Sequence, residues 1–223
     1  MWESIVSLDK SLLLGINGCH SPFFDDVMFY ISDRLVWIPL YLSMIYVLLR
    51  TYRLNAIYAL LAVGLTVLLA DQFASGLCKP FFERLRPTHD PTMAPLVHLV
   101  YGHTSGLYGF CSSHASNTCG IALLTALLFR NRGYALIVCS WAALNCYSRM
   151  YMGVHYPGDI LCGAAAGLLF GYLCYRLFLL CPSMDKNTSM QPVVPVSYIK
   201  VVAAVYVATL LGIVGHAIWV VIC

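Results

Sequence analysis

Charge is almost absent from six long stretches of this chain, and nothing else in the sequence limits the fold so strongly. The stretches lie near 26–49, 55–77, 112–130, 134–151, 158–180 and 197–222. A helix of about 20 apolar residues crosses the roughly 30 Å of hydrocarbon in a bilayer, and each stretch is long enough or nearly so. Inside lipid an unpaired backbone amide finds no water, so the segments must be helices unless they close into a barrel. No alternating strand pattern argues for a barrel. Only 10% of the 223 residues are charged, against about 25% in soluble domains. The sequence therefore predicts an all-α, polytopic membrane bundle of six transmembrane helices. Asp33-Arg34, inside the first span, must face protein or headgroups because charge in lipid is costly. The fourth span is the weakest, running into Asn145 and Ser148-Arg149.

Residues 1–20 mix Glu3, Asp9 and Lys10 with Trp2, Ile5, Val6, Leu8 and Leu12–Leu14. This lacks the basic start and uninterrupted core of a signal peptide, and predicts a short amphipathic helix lying in the interface. Residues 21–223 then form one membrane domain. The net charge of +3 is small and its basic residues sit in clusters between apolar segments, which points to membrane topology and away from nucleic acid. Most of the ten cysteines lie within apolar segments and none pairs with histidine at zinc spacing. Cys19, Cys78 and Cys111 lie nearer the polar face, leaving a bridge among them open. The segment Cys181–Val196 reads as a cytoplasmic loop, so its Asn187-Thr188-Ser189 sequon is expected to stay unmodified.

Lysine and arginine mark the cytoplasmic side of a membrane protein. One set of connections carries Arg50, Arg53, Arg130, Arg132, Arg176, Lys186 and Lys200; the other carries Lys10, Arg34 and Arg84. The second side also holds Lys79, Arg86 and Arg149, for which a site provides a separate reason. The first set is thus expected inside and both termini outside. That parity brings Lys79, Arg86, His114, Arg149, His155 and Asp159 to one exoplasmic face. The long 88–110 loop between them has no periodicity and is expected to serve as a lid or substrate guide.

These residues suit phosphate chemistry. A phosphate ester resists attack because its oxygens are negative, so a catalyst must neutralise them, align a nucleophile and protonate what leaves. Lys79, Arg86 and Arg149 supply cations, and arginine grips phosphate oxygens with two parallel donors. Ser112 and Ser113 offer hydroxyls and a helix start to the anion. His155 precedes Pro157 at a helix start, and Asp159 one turn on is placed to orient its ring as a nucleophile. His114 suits the general acid that serves the leaving group. No acidic cluster is present for a metal, and three cations make one unnecessary; no cofactor is expected.

Three motifs, Lys79-x6-Arg86-Pro87, Cys111-Ser112-Ser113-His114 and Ser148-Arg149-x5-His155-x3-Asp159, resemble those of the type 2 phosphatidic acid phosphatase superfamily: K-x6-R-P, P-S-G-H and S-R-x5-H-x3-D. The middle motif departs, with Cys111 for proline and Ser113 for glycine. The resemblance spans about 71–180. It implies a metal-independent membrane phosphatase working through phosphohistidine, with His155 as nucleophile, Asp159 as its partner and His114 as general acid. Lys79, Arg86, Ser112, Ser113 and Arg149 would bind the substrate phosphate. It also implies a bacterial inner-membrane location and a lipid substrate such as phosphatidic acid, phosphatidylglycerophosphate, undecaprenyl pyrophosphate or lipid A.

A lipid-to-acceptor phosphoryl transferase would use the same residues. A transporter for anions or lipids fits less well, because the ionisable groups gather at one face and no inverted repeat is evident.

Overall fold

A computed structural model of the chain describes residues 2–181 and 194–223. The Asn187 sequon, Lys186 and most of the expected cytoplasmic loop lie outside the described residues. Among those described, regular structure is helical throughout: α1 (Trp2–Asn17), α2 (Pro22–Ser32), α3 (Ile38–Tyr52), α4 (Ala56–Asp71), α5 (Lys79–Phe82), α6 (Ser113–Phe129), α7 (Arg132–Tyr151), α8 (Pro157–Leu179) and α9 (Val196–Ile222). A π-helical stretch, Gln72–Cys78, joins α4 to α5. Among the described residues, three helical stretches are long and apolar enough to cross a membrane: Ile38–Phe82, Pro157–Leu179 and Val196–Ile222. Their outer faces leave large apolar side chains uncovered, such as Leu161 at 71% and Leu211 at 65% exposure. Water solvates such a surface poorly.

The expected first span, 26–49, is in fact two helices. α2 ends at Ser32, where the Asp33 carboxylate accepts a hydrogen bond from the Leu35 amide (2.9 Å). A short acidic side chain competes in this way for the amides a continuing helix needs. Pro39 then lies in the first turn of α3, where a missing N–H costs nothing.

α1 is amphipathic, as its sequence suggests, but its polar side meets protein. Lys10 pairs with Asp90 at 2.8 Å, and Asp9 pairs with Arg84. Asn17 is buried, donating to the carbonyls of His98 and Tyr151. Ile5, Leu8 and Leu12 remain exposed, while Leu13 is fully enclosed.

The closest helix pair is α6 against α8. Gly163, Gly167 and Gly171 recur every four residues along α8, and Ser112, Ser116 and Gly120 face them with the same spacing. A β-carbon on Gly167 would stand 2.1 Å from the Ser116 carbonyl oxygen, so only glycine permits this approach. The contact fixes the start of α6, which carries His114, against the start of α8, which carries Asp159. The Ser112 amide donates to the Asp159 carbonyl at 3.0 Å.

α9 packs mainly on α2 and α3. Tyr206 stacks on Trp37 at 6.0 Å, and His216 meets Asp26 at 2.8 Å. Asp25 likewise takes His98 at 2.8 Å and the Tyr151 hydroxyl at 2.7 Å. His20 stacks on His98, and His89 contacts Thr88. These four histidines therefore serve structure. All ten cysteines are free thiols.

Candidate active site

His155 sits in the tight connection between α7 and α8. Gly153 makes the reversal with φ +68°, a conformation that L side chains avoid, and a β-carbon there would meet Val97 at 2.2 Å. The His155 ring is 1% exposed. Its Nε2 lies 2.7 Å from Arg86 Nη1, and its Nδ1 lies 3.4 Å from Asp159 Oδ2. A guanidinium only donates, so Nε2 must be the accepting nitrogen and Nδ1 carries the proton toward Asp159. The lone pair of Nε2 thereby points among the cations. Burial pushes the His155 pKa well below the usual histidine range, and Arg86, Arg149 and Lys79 push it further. The free ring is neutral at physiological pH.

Arg86 also donates to the Val154 carbonyl at 2.9 Å. Its position follows from the extended Arg84–Arg86 strip, whose Leu85 bridges Tyr108 across the long connection. Arg149, in the last turn of α7, donates to Ser32 through Nη1 and to Ser105 through Nη2 (3.3 Å). Both guanidiniums are nearly enclosed, and the Nε of each is buried with no partner. A buried donor left unpaired among the described residues is expensive, and these two could be satisfied by the oxygens of an anion. Lys79 donates to Ser75 at 3.0 Å and to Ser113 at 3.3 Å. Ser112 is fully enclosed and its hydroxyl caps α6 by accepting from the Ala115 amide (3.4 Å). Its side chain thus holds the helix start, whereas Ser113 faces the cations.

The ring of His114, in the first turn of α6, has no hydrogen-bond partner among the described residues. It lines a cavity of about 800 Å³ between α3, α4 and α6. Arg34, Asp71, Ser75 and Asn117 share its polar end, and Met44, Leu48, Val63 and Ile121 line the apolar length. Among the described residues no group of three or more His, Cys, Asp or Glu side chains is placed to hold a metal ion.

Several functional neighbours escaped the sequence reading. Arg84 looked like an ordinary exterior charge, yet it donates to Asp159 Oδ1 at 2.8 Å and to Asp9 Oδ2 at 2.6 Å. Asp9 Oδ1 in turn accepts from the Gly158 amide at 2.7 Å. The two-residue step from Arg84 to Arg86 was the available signal, because alternate residues of an extended strip share a side. Ser32 and Ser105 carried no comparable signal. His103 contacts Ser105 at 3.2 Å and so reaches Arg149 indirectly.

The structure brings buried imidazole, carboxylate and guanidinium groups together at one end of an apolar helical bundle. Comparison with known proteins makes the class specific. The PAP2 superfamily model matches residues 55–183. Lipid A 4'-phosphatase of Bacteroides thetaiotaomicron is 39% identical over 177 residues, 78% of this chain and 79% of that one. Undecaprenyl-diphosphatase BcrC of Bacillus subtilis is 29% identical over 171 residues, 74% of this chain and 81% of that one. The crystal structure of a transmembrane PAP2 type phosphatidylglycerolphosphate phosphatase from Bacillus subtilis shares the fold, with a TM-score of 0.60 at 23% identity, covering 82% of this chain and 90% of that one. The chain belongs to the PAP2 superfamily. It is a membrane phosphatase.

Proposed function

We propose that this enzyme hydrolyses a phosphorylated lipid, of the lipid A or polyprenyl diphosphate type, through a phosphohistidine. Nε2 of His155 attacks phosphorus while the bond to the leaving oxygen breaks. His114 gives that oxygen its proton. A water molecule then attacks phosphorus, His114 takes the water's proton, the P–N bond breaks, and inorganic phosphate leaves. Arg86, Arg149 and Lys79 hold the non-bridging oxygens, and Ser113 contributes a hydroxyl. Asp159 keeps the proton of His155 on Nδ1.

The observation that carries this reading is the contact between His155 Nε2 and Arg86: the ring nitrogen is unprotonated and sits beside a guanidinium whose donor a bound phosphate oxygen would take over, freeing the lone pair for attack. The relatives named lipid A 4'-phosphatase and undecaprenyl-diphosphatase support the substrate class. The Lys/Arg split supports a site on the exoplasmic, periplasmic side, the six apolar stretches support six spans within one domain at 21–223, and the bacterial relatives support an inner-membrane location.

Purified enzyme should release phosphate from such lipids without an added acceptor and in the presence of EDTA. Rapid quenching with labelled substrate should trap an acid-labile phosphoenzyme that His155→Ala abolishes. Undiminished turnover by His155→Ala would overturn the mechanism, and dependence on an acceptor alcohol would favour phosphoryl transfer.

A further inference from the structure

Beyond the motif residues, one exposed cation lines the cavity without a paired counter-charge among the described residues. Arg34 occupies the break between α2 and α3 and lines the same polar end as His114. Its side chain makes no ion pair or hydrogen bond among the described residues. The adjacent Asp33 does not neutralise it, because that carboxylate is turned back onto the Leu35 amide. Asp71, on the cavity's other wall, accepts from Ser75, which accepts from Lys79; its charge is matched through that relay. The same break supplies Ser32, two residues earlier, to Arg149. One short segment thus ties a phosphate-binding arginine to a second, free one.

The direction of the cavity gives Arg34 a meaning. The reacting phosphate belongs among Arg86, Arg149 and Lys79, and His114 faces the oxygen that departs. Whatever departs lies on the cavity side of His114, where Arg34 waits. An uncharged leaving group would leave this guanidinium to solvent, whereas a phosphorylated one would pair with it.

We propose that Arg34 is a specificity residue that receives a second phosphoryl group on the leaving side of the substrate. The inference rests on the phosphatase reading above and narrows it to lipids with two phosphates. The two phosphates are either joined, as in a polyprenyl diphosphate, or apart, as on a bisphosphorylated glycolipid.

The test compares wild type, Arg34→Gln and Arg34→Lys, as full-length protein in detergent, on three substrates. Phosphatidic acid carries one phosphate, undecaprenyl diphosphate carries two in series, and bisphosphorylated lipid A carries two at separate positions. Arg34→Gln should lose about ten- to a hundredfold in kcat/KM on at least one two-phosphate lipid, the worth of one charge-assisted contact. Phosphatidic acid should change little, and Arg34→Lys should recover part of the loss. Loss confined to the diphosphate identifies adjacent phosphates; loss confined to lipid A identifies separated ones. An equal effect on all three lipids, or none, overturns the proposal and leaves Arg34 as a headgroup anchor. Binding of each lipid to His155→Ala, with and without Arg34→Gln, repeats the comparison independently of turnover. Failure of the parent reading shows differently, as turnover that survives His155→Ala.

Discussion

Arg84, not His155, makes the shorter contact with Asp159: 2.8 Å against 3.4 Å. Asp159 is also tied to its own helix, accepting from the Tyr156 amide at 3.1 Å. The carboxylate is therefore held from three directions, and its partner Arg84 is itself pinned by Asp9. α1 reaches the Asp159 carboxylate through this chain of charges, which gives the N-terminal helix a mechanical role.

Arg84→Ala should accordingly lower kcat by about ten- to a hundredfold, the usual effect of removing a group that orients a reacting one. KM should change little, since the partners of Arg84 are Asp159 and Asp9 and not Lys79, Arg86 or Arg149. Asp9→Ala should give a smaller loss in the same direction. Steady-state kinetics on one lipid substrate checks both. A rise in KM with kcat intact would assign Arg84 to binding instead.

His155 should remain neutral under conditions that protonate an ordinary histidine. Its pKa is depressed by burial and by the surrounding cations, so the protonated form is favoured only well below the usual value. Spectra of enzyme labelled with ¹⁵N-histidine should show an unprotonated Nε2 from about pH 7.5 down to about pH 5.5, where a free imidazole titrates. Replacing Arg86 with glutamine removes one repelling charge and should move the transition upward. A His155 signal that titrates near the ordinary value would contradict the arrangement.

The sequence made the helical class legible because apolar length needs no tertiary information, and the motif spacing brought His114, His155 and Asp159 into view together. The break at Asp33 was less visible. Hydropathy averaged over 26–49 hides the charged pair Asp33-Arg34, although its effect on the backbone is local. Arg84, Ser32 and Ser105 were hidden for another reason: each acts on a residue distant in sequence, as Ser32 does on Arg149. The role of α9 was equally unreadable, since His216 finds Asp26 only once the bundle has closed.

The α6–α8 contact offers a test of scaffold against chemistry. Gly167→Ala puts a methyl group where the Ser116 carbonyl already stands, forcing the helices apart. Overpacking of this kind costs about 1–3 kcal/mol, and the thermal midpoint in detergent should fall. Activity should fall more than stability alone explains, because His114 and Asp159 sit on the two helices being separated. Gly215→Ala on α9, where a β-carbon meets nothing within 4 Å, should be silent.

Arg149→Lys should behave almost as badly as Arg149→Ala. The guanidinium divides its donors: Nη1 serves Ser32, Nη2 serves Ser105, and Nε is left for the ligand. An ammonium has the charge but not the fork, so holding both serines and a phosphate oxygen from one nitrogen would misplace all three. Loss of a donor to the charge developing in the transition state costs about 10²–10³-fold in kcat, and that is the expected effect of either substitution. Ser105→Ala should cost far less, because Ser32 still fixes the arginine. If Arg149→Lys keeps most of the wild-type kcat/KM, the charge alone matters, and the division of donors is structural coincidence.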